Sequence, residues 1–425
     1  MRLGLATLPV ALCAATVVGA EPTAATWRGE WLAHASNYRI DQDSVFNPAN
    51  ALIRQAENVA SSELRPDFAW SDARFALTVK PRWLVEAAGD SRQSRVWLNE
   101  ANVRWRAAEA LTVTAGREVL LWGPAQFWNP SNPFYTANGK SNAKRELPGK
   151  GFARVRWQFG ENAGLAAIAQ LDNGAFDLGA ERVNAAVLDW VGDEASAVAI
   201  VAVQPGEALQ WRGWAQWTAD EATLVYGEAA WVRSRTLLAQ RVMGAPGSAN
   251  VSNAAATGWQ VVAADSAYAL DALVGAAYTF ANGWTFNAEF YHHGSGLDTR
   301  ELADWGGLAR DVAAVVGAQA GAHTPAGALA ASQIAAALDP QTAPLGRRLV
   351  GVQLRNGSDE TVGWNLRYSR NVDDGSAQAV VQLSADLGDR WQLWANVVVQ
   401  RGGSECEYGR WLDASAMLGV TAFLW

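Results

Sequence analysis

Basic side chains are concentrated in one stretch of this sequence. Between Asn58 and Gly160 there are 15 Lys and Arg against 9 Asp and Glu, a net +6 within a chain whose total is −8. Three of the four lysines, Lys140, Lys144 and Lys150, stand with Arg145 in a segment that also holds Trp122, Phe127, Trp128 and Tyr135. Lys and Arg supply fixed positive charge and donors for anionic groups, and aromatic faces suit sugar rings or stacked guanidinium groups. The chemistry predicted is therefore noncovalent, the attraction and guidance of an anionic solute.

Covalent and metal chemistry find little support. Four histidines are present, and only His292 or His293 beside Ser295 could begin a nucleophile–base pair. Both sit beside a Gly turn, an ordinary place for a surface histidine, so the chain is read as a non-enzyme. Asp41, Asp43 and Asn47 have the spacing of a calcium loop, but Phe46 stands where its Gly would be and Leu52 where its Glu would be. A solvated turn is expected there, with one loop-bound calcium as the alternative. No Gly-rich loop with Lys and no Cys/His ligand spacing occurs, so no cofactor, no metal centre and no nucleic-acid partner is expected.

The elements that must carry the bases alternate at period two. Leu209, Trp211, Gly213, Ala215 and Trp217 fall on one face with Gln210, Arg212, Gln216 and Thr218 opposite. Trp284, Phe286, Ala288 and Phe290 oppose Thr285, Asn287 and Glu289 in the same way. A secreted β-sandwich or β-helix would also alternate. Three features favour a transmembrane antiparallel β-barrel: polar faces suited to a wet lumen, Trp at segment ends (Trp27, Trp70, Trp83, Trp157, Trp190, Trp284, Trp391), and a terminal Ala-Phe-Leu-Trp strand. No uncharged apolar run beyond the first 20 residues is long enough for a spanning helix.

Segments near 26–38, 58–70, 73–86, 94–106, 110–121, 151–160, 163–172, 182–192, 194–204, 208–219, 222–235, 268–281, 284–294, 347–356, 361–371, 376–388, 390–402 and 410–425 read as strands. That makes eighteen, an even number, or sixteen if the weak segment 58–70 is set aside. Alternate connections are tight turns rich in Gly, Asn and Asp, such as Gly160-Glu161-Asn162 and Gly388-Asp389, and belong on the periplasmic side. The segments 122–150, 236–267 and 295–346 are long outer loops. The last contains two Ala-rich stretches, Gly307–Ala322 and Gly327–Leu338, of helical composition. They suggest a surface loop packed on its own apolar face, with a lid over the mouth as the alternative. Strands start too early in the chain for a plug domain of the TonB-dependent kind.

Placing apolar residues toward lipid fixes where the charges point. Phe75, Leu77 and Val79 outward turn Arg74, Lys80 and Arg82 inward; Ala101, Val103 and Trp105 do so for Arg104 and Arg106; Ala153, Val155, Trp157 and Phe159 do so for Arg154 and Arg156. An Arg on the lipid side would cost about 2–4 kcal/mol at the midplane. The stiff loop 122–150 then either folds into the lumen as a constriction or stays outside, its bases binding lipopolysaccharide phosphates.

GREVLLWGPAQFWNPSNPF followed by KRELPGKGF (116–134 and 144–152) resembles a pattern in proteobacterial outer-membrane barrels. An Arg-lined lumen in eighteen strands also resembles the alginate-export channels and the substrate-specific porins. The resemblance implies passage of anionic solutes or an anionic polysaccharide, with Arg117, Lys144, Arg145, Arg154 and Arg156 along the path. Residues 1–20, with Arg2, an apolar run and Val18-Gly19-Ala20, read as a signal peptide, which leaves 21–425 as the barrel and Cys406 as the one retained thiol. The expected location is a bacterial outer membrane. The expected partners are lipid, lipopolysaccharide and the barrel-assembly machinery, the last engaged through the terminal strand at Trp425. A non-conducting barrel that binds polysaccharide at its surface is the competing expectation.

Overall fold

A computed structural model of the chain describes residues 24–50, 54–135, 144–174, 182–241, 259–318, 344–357 and 360–424. The expected signal peptide, Lys140, Trp425 and the stretch Gly327–Leu338 lie outside the described residues.

Eighteen strands form: β1 (Ala24–Ile40), β2 (Asn58–Ser71), β3 (Phe75–Ala88), β4 (Ser91–Ala108), β5 (Leu111–Glu118), β6 (Lys150–Phe159), β7 (Ala163–Asp172), β8 (Asn184–Val191), β9 (Ala195–Val203), β10 (Gln210–Thr218), β11 (Thr223–Arg241), β12 (Trp259–Thr279), β13 (Thr285–His292), β14 (Arg348–Arg355), β15 (Val362–Asn371), β16 (Ala377–Leu387), β17 (Trp391–Arg401) and β18 (Leu412–Phe423). Each pairs antiparallel with its neighbours in sequence, and β18 pairs with β1, so the sheet closes without an edge. The segment 58–70 is a strand along nearly its whole length, which sets aside sixteen.

The alternation read from sequence has a structural cause. Phe75, Trp105, Trp157, Leu188, Val274, Leu393 and Leu418 stand exposed on the outer wall. Their neighbours Thr114, Ile200, Asn287 and Gln353 are buried on the inner one. A continuous apolar exterior of this kind is the surface a bilayer covers. Aromatic residues ring it at the short-turn end, among them Trp27, Trp157, Trp190, Trp217, Tyr278, Phe280, Trp284 and Trp391, all exposed. Near the other end Trp231 stacks on Tyr268, with ring centroids 6.1 Å apart. The ring at the short-turn end is an interfacial girdle of the kind expected of a spanning barrel.

The region 236–267 departs from its reading as a loop. Both β11 and β12 run well into it, because period-two pairing continues from Arg235↔Asp265 to Arg241↔Trp259. Beyond the lipid band this hairpin packs against protein. The helix α1 (Thr299–Ala318) buries Leu302, Trp305, Leu308, Ala309 and Val312 against Phe46, Ala239, Trp259 and Leu297. The indole N–H of Trp259 donates to Asp311 at 2.7 Å. The described part of the first Ala-rich stretch, 307–318, thus belongs to a helix docked on the barrel rim as well as on its own loop.

Candidate functional site

A β-bulge organises the basic wall. Pro81 has no N–H to give to a ladder, and the register shifts there: Lys80 pairs with Glu100 but Pro81 with Leu98. The extra residue, Asn99, then shares the lumenal face with Glu100. The Lys80 ammonium lies 2.6 Å from Glu100. Asn99, buried, accepts from Gly149 N at 3.2 Å and donates to the Leu147 carbonyl at 3.3 Å, so it holds the end of the long loop.

The described parts of that loop, 119–135 and 144–149, run inside the barrel. Two inward carboxylates clamp it by its backbone. Glu228 on β11 accepts from Ala125 N at 3.0 Å, from Ser131 N at 3.2 Å and from Ser131 Oγ at 2.7 Å. Glu289 on β13 accepts from Phe127 N at 3.1 Å, from Gln126 N, and from the Tyr226 hydroxyl at 2.8 Å. Two inward arginines take the opposite ends of the peptide dipoles. Arg212 donates to the Pro130 carbonyl at 2.7 Å and Arg367 to that of Gln126 at 2.8 Å. Gly123 has φ +93°, and a Cβ there would fall 2.4 Å from a Glu228 oxygen. A side chain at Gly351 would meet the Phe127 ring at 2.7 Å. Backbone and wall therefore approach as closely as glycine permits.

Apolar contacts complete the seat. Leu120, Phe134 and Tyr135 pack with Phe152, Ile168, Val187, Val198, Ile200 and Trp214 of β6–β10. Ala125 and Trp128 pack with Tyr226, Leu273, Tyr291 and Leu349 on the far wall. The aromatics expected at a constriction are the loop's anchors. Trp128 stacks on Tyr291 (5.6 Å), Phe127 lies under the Arg367 guanidinium (4.3 Å), Trp122 meets Phe134 edge-on (5.5 Å), and Tyr135 donates to the Pro148 carbonyl (2.9 Å).

The predicted bases divide by environment. Arg82, 1% exposed, donates to both Glu146 oxygens at 2.6 and 2.8 Å and stands 2.9 Å from Asp67. Arg154 pairs with Glu118 at 3.2 Å and Arg156 with Asp189 at 2.5 Å. Lys150 is buried, giving its ammonium to the Phe134 carbonyl at 2.8 Å. Lys144, its carbonyl held by Arg65 of β2 at 2.7 Å, reaches along the wall to Gln392 on β17 and lies 6.0 Å from the Trp394 ring centroid. Arg104, Arg106 and Arg145 are exposed and carry no ion pair among the described residues. Arg74 sits exposed in the turn before β3 instead of on the wall.

Arg117 is a correction. It stands in register with Ala101 and Gly151, on the outer face with Val103 and Trp105, and pairs with Asp172 at 3.2 Å. Simple alternation through Val113 and Ala115 puts it there, and the resemblance that placed it along the path ran against that pattern.

Within the loop, burial alone would push the Glu146 carboxyl up. The hydrogen bonds and charge of Arg82, with Arg65 and Lys80, outweigh it and hold the group below the ordinary carboxylate value. Burial lowers the Lys144 ammonium from its usual value despite the pull of Glu30 and Asp386.

Sequence reasoning missed Glu228, Glu289, Arg212 and Arg367. Their only signal was an ionisable residue at an inward position of an otherwise ordinary strand. Between the loop and the β14–β17 wall remains a cavity of about 350 Å³ lined by Lys144, Arg355, Asn365, Gln382, Gln392, Trp394 and Asn396, among others.

His293 does meet Asp271 (Nδ1 to Oδ1, 2.9 Å) and Ser295 (Nε2 to Oγ, 3.4 Å). The neighbouring N–H groups are engaged, Gly294 N with Asp271 and Gly296 N with the His293 carbonyl. Neither of these two N–H groups is therefore free to hold an oxyanion, which acyl transfer needs. In the loop after β1, Asp41 accepts from Asp43 N at 2.9 Å and Asn47 donates to Asn50 at 3.1 Å. Among the described residues no three His, Cys, Asp or Glu are grouped to hold a metal ion.

Solved structures share this architecture. Pseudomonas aeruginosa OccK5 (OpdH) matches with a TM-score of 0.54 at 10% identity, over 94% of this chain and 98% of that one. OccK11 (OpdR) of the same organism gives 0.53 at 10% identity, over 94% and 96%, and OprD gives 0.51 at 10%, over 94% and 95%. What this chain shares with them is the fold, a closed eighteen-stranded antiparallel barrel. No protein-family model matches the sequence, and no curated protein matches it. The likeness at such identity is one of fold.

Proposed function

We propose that the chain is an outer-membrane channel for small polar solutes whose bore is set by the inward loop segment 119–135. The observation that carries this reading is the placement of the loop. Its backbone is clamped to β11 and β13, while the amide-rich face of β14–β17 still borders a cavity. A short constriction between polar walls is how porins trade throughput for selection.

Selectivity follows from the charges left uncompensated. Lys80, Arg82, Arg154 and Arg156 each face a carboxylate, so their contribution to the field is largely cancelled. Arg104, Arg106 and Arg145 supply the remaining bias, and a modest preference for anions is expected. Passage of an anionic polysaccharide is a narrower version of the same proposal. Lipopolysaccharide around the long-loop end and barrel-assembly machinery at β18 are its proposed partners.

The loop's contact with both walls also supports a second reading, a closed barrel that only binds solutes at its surface. Planar-bilayer recording under a KCl gradient separates the two. Discrete steps with a reversal potential on the anion side support the channel. Their absence from folded protein supports the closed barrel. Arg104→Glu with Arg106→Glu should move the reversal potential toward cations; no movement would remove the electrostatic part of the proposal.

A further inference from the structure

The cavity on the β14–β17 side is lined differently from the basic wall. Its floor is a ladder of amides: Gln353 Nε2 donates to Asn365 Oδ1 at 2.9 Å, and Asn365 Nδ2 donates to Gln382 Oε1 at 2.8 Å. Asn396 stands next in register with Gln382 across β16 and β17. Beside it Trp394, 4% exposed, presents its indole on the lumenal face, with His34 5.5 Å away across the seam of the barrel.

Among the described residues, three polar atoms in this wall have no protein partner. Gln353 Oε1, the Trp394 Nε1–H and Asn396 Oδ1 are unbonded, although all three residues are more than nine-tenths buried. As the side chains stand these atoms are shielded, so a hydrogen-bonding guest in the cleft would meet them after a small rotation of the amides and the indole. The ionic lining does not favour an ion. Lys144 and Arg355 are matched in number by Glu360 and Asp386, and Lys144 is already bonded to Gln392, which in turn donates to Asp386 at 2.8 Å. Amide side chains pair a donor and an acceptor at the spacing of vicinal hydroxyls. An indole offers a flat apolar face to the C–H side of a pyranose ring.

We infer that this cleft is a binding subsite for an uncharged saccharide, with the Asn365–Gln382–Asn396 ladder bonding its hydroxyls and Trp394 covering its ring face. The inference deepens the channel reading by giving that channel a solute class. The cavity, at about 350 Å³, is large enough for one or two sugar rings.

Isothermal titration of the full-length barrel in detergent tests it, with maltose, glucuronate and hexanoate as probes. Maltose should bind about tenfold more tightly than hexanoate and at least as tightly as glucuronate. Trp394→Leu and Asn396→Ala should each weaken maltose by about tenfold, the loss of one ring contact or one buried hydrogen bond. Trp27→Leu, on the lipid face, should leave it unchanged. Circular dichroism confirms that each variant is folded. No maltose binding by the parent protein, binding indifferent to both cleft variants, or clear preference for glucuronate would overturn the inference. Bilayer recording is run on the same preparations. Maltose binding without conductance would remove the channel reading and leave the subsite, whereas conductance without maltose binding would do the reverse.

Discussion

The decisive residues are few, and two acids lead them. Glu228 and Glu289 turn an otherwise unremarkable pair of strands into a clamp, because a carboxylate facing inward can accept several backbone N–H bonds at once. Each charge-assisted bond contributes about 1.5–3 kcal/mol. Glu228→Gln with Glu289→Gln keeps the shape and removes the charge, so the loop should loosen and single-channel conductance should rise several-fold. Arg82→Met strands two carboxylates, and loss of one partner of a buried pair costs about 3–5 kcal/mol. The expected readout is a lower unfolding temperature of the barrel in detergent. The Arg82–Glu146 contact also has a pH signature. Because the folded Glu146 pKa is depressed, its contribution is complete above the ordinary carboxylate value and lost as pH falls through the depressed one. Conductance should therefore stay constant from neutrality into mild acid and rise only below the usual carboxylate range. A rise beginning above that range would assign the transition to another group.

At the scale of elements, the barrel was legible in the sequence and its interior was not. Every strand is anticipated because lipid on one side and lumen on the other impose period two on the wall itself. Loop placement depends on partners a hundred or more residues away, such as Ala125 with Glu228 and Phe127 with Glu289. No local pattern announces such pairs. The extended β11–β12 hairpin went unread for a related reason. Its upper part is covered by α1 instead of by lipid, so the girdle cues stop before the strands do. Two substitutions test these elements. Gly351→Val drives a side chain into Phe127 and should displace the loop tip, raising conductance without unfolding the barrel. Leu308→Ala opens a cavity beneath α1 at a cost of about 2–5 kcal/mol, which should expose the loop 293–347 to protease while conductance holds.

Taken whole, the molecule is a wall with an insert. Eighteen strands close a cylinder wide enough to need filling, and the chain fills it with its own stiff, proline-rich loop. The net charge of −8 hides this arrangement: the basic block is paired mainly with its own acids, Glu100, Glu118 and Glu146, and with Asp189 of β8, and pairing leaves a modest excess inside. The central claim is that the loop, and not the wall, sets the bore. Single-channel conductance of the parent barrel and of a variant with residues 122–135 replaced by a short Gly-Ser link is the most direct measurement. A large increase in step size, with the anion preference retained, is the predicted result. Equal conductance in the two proteins would contradict the account.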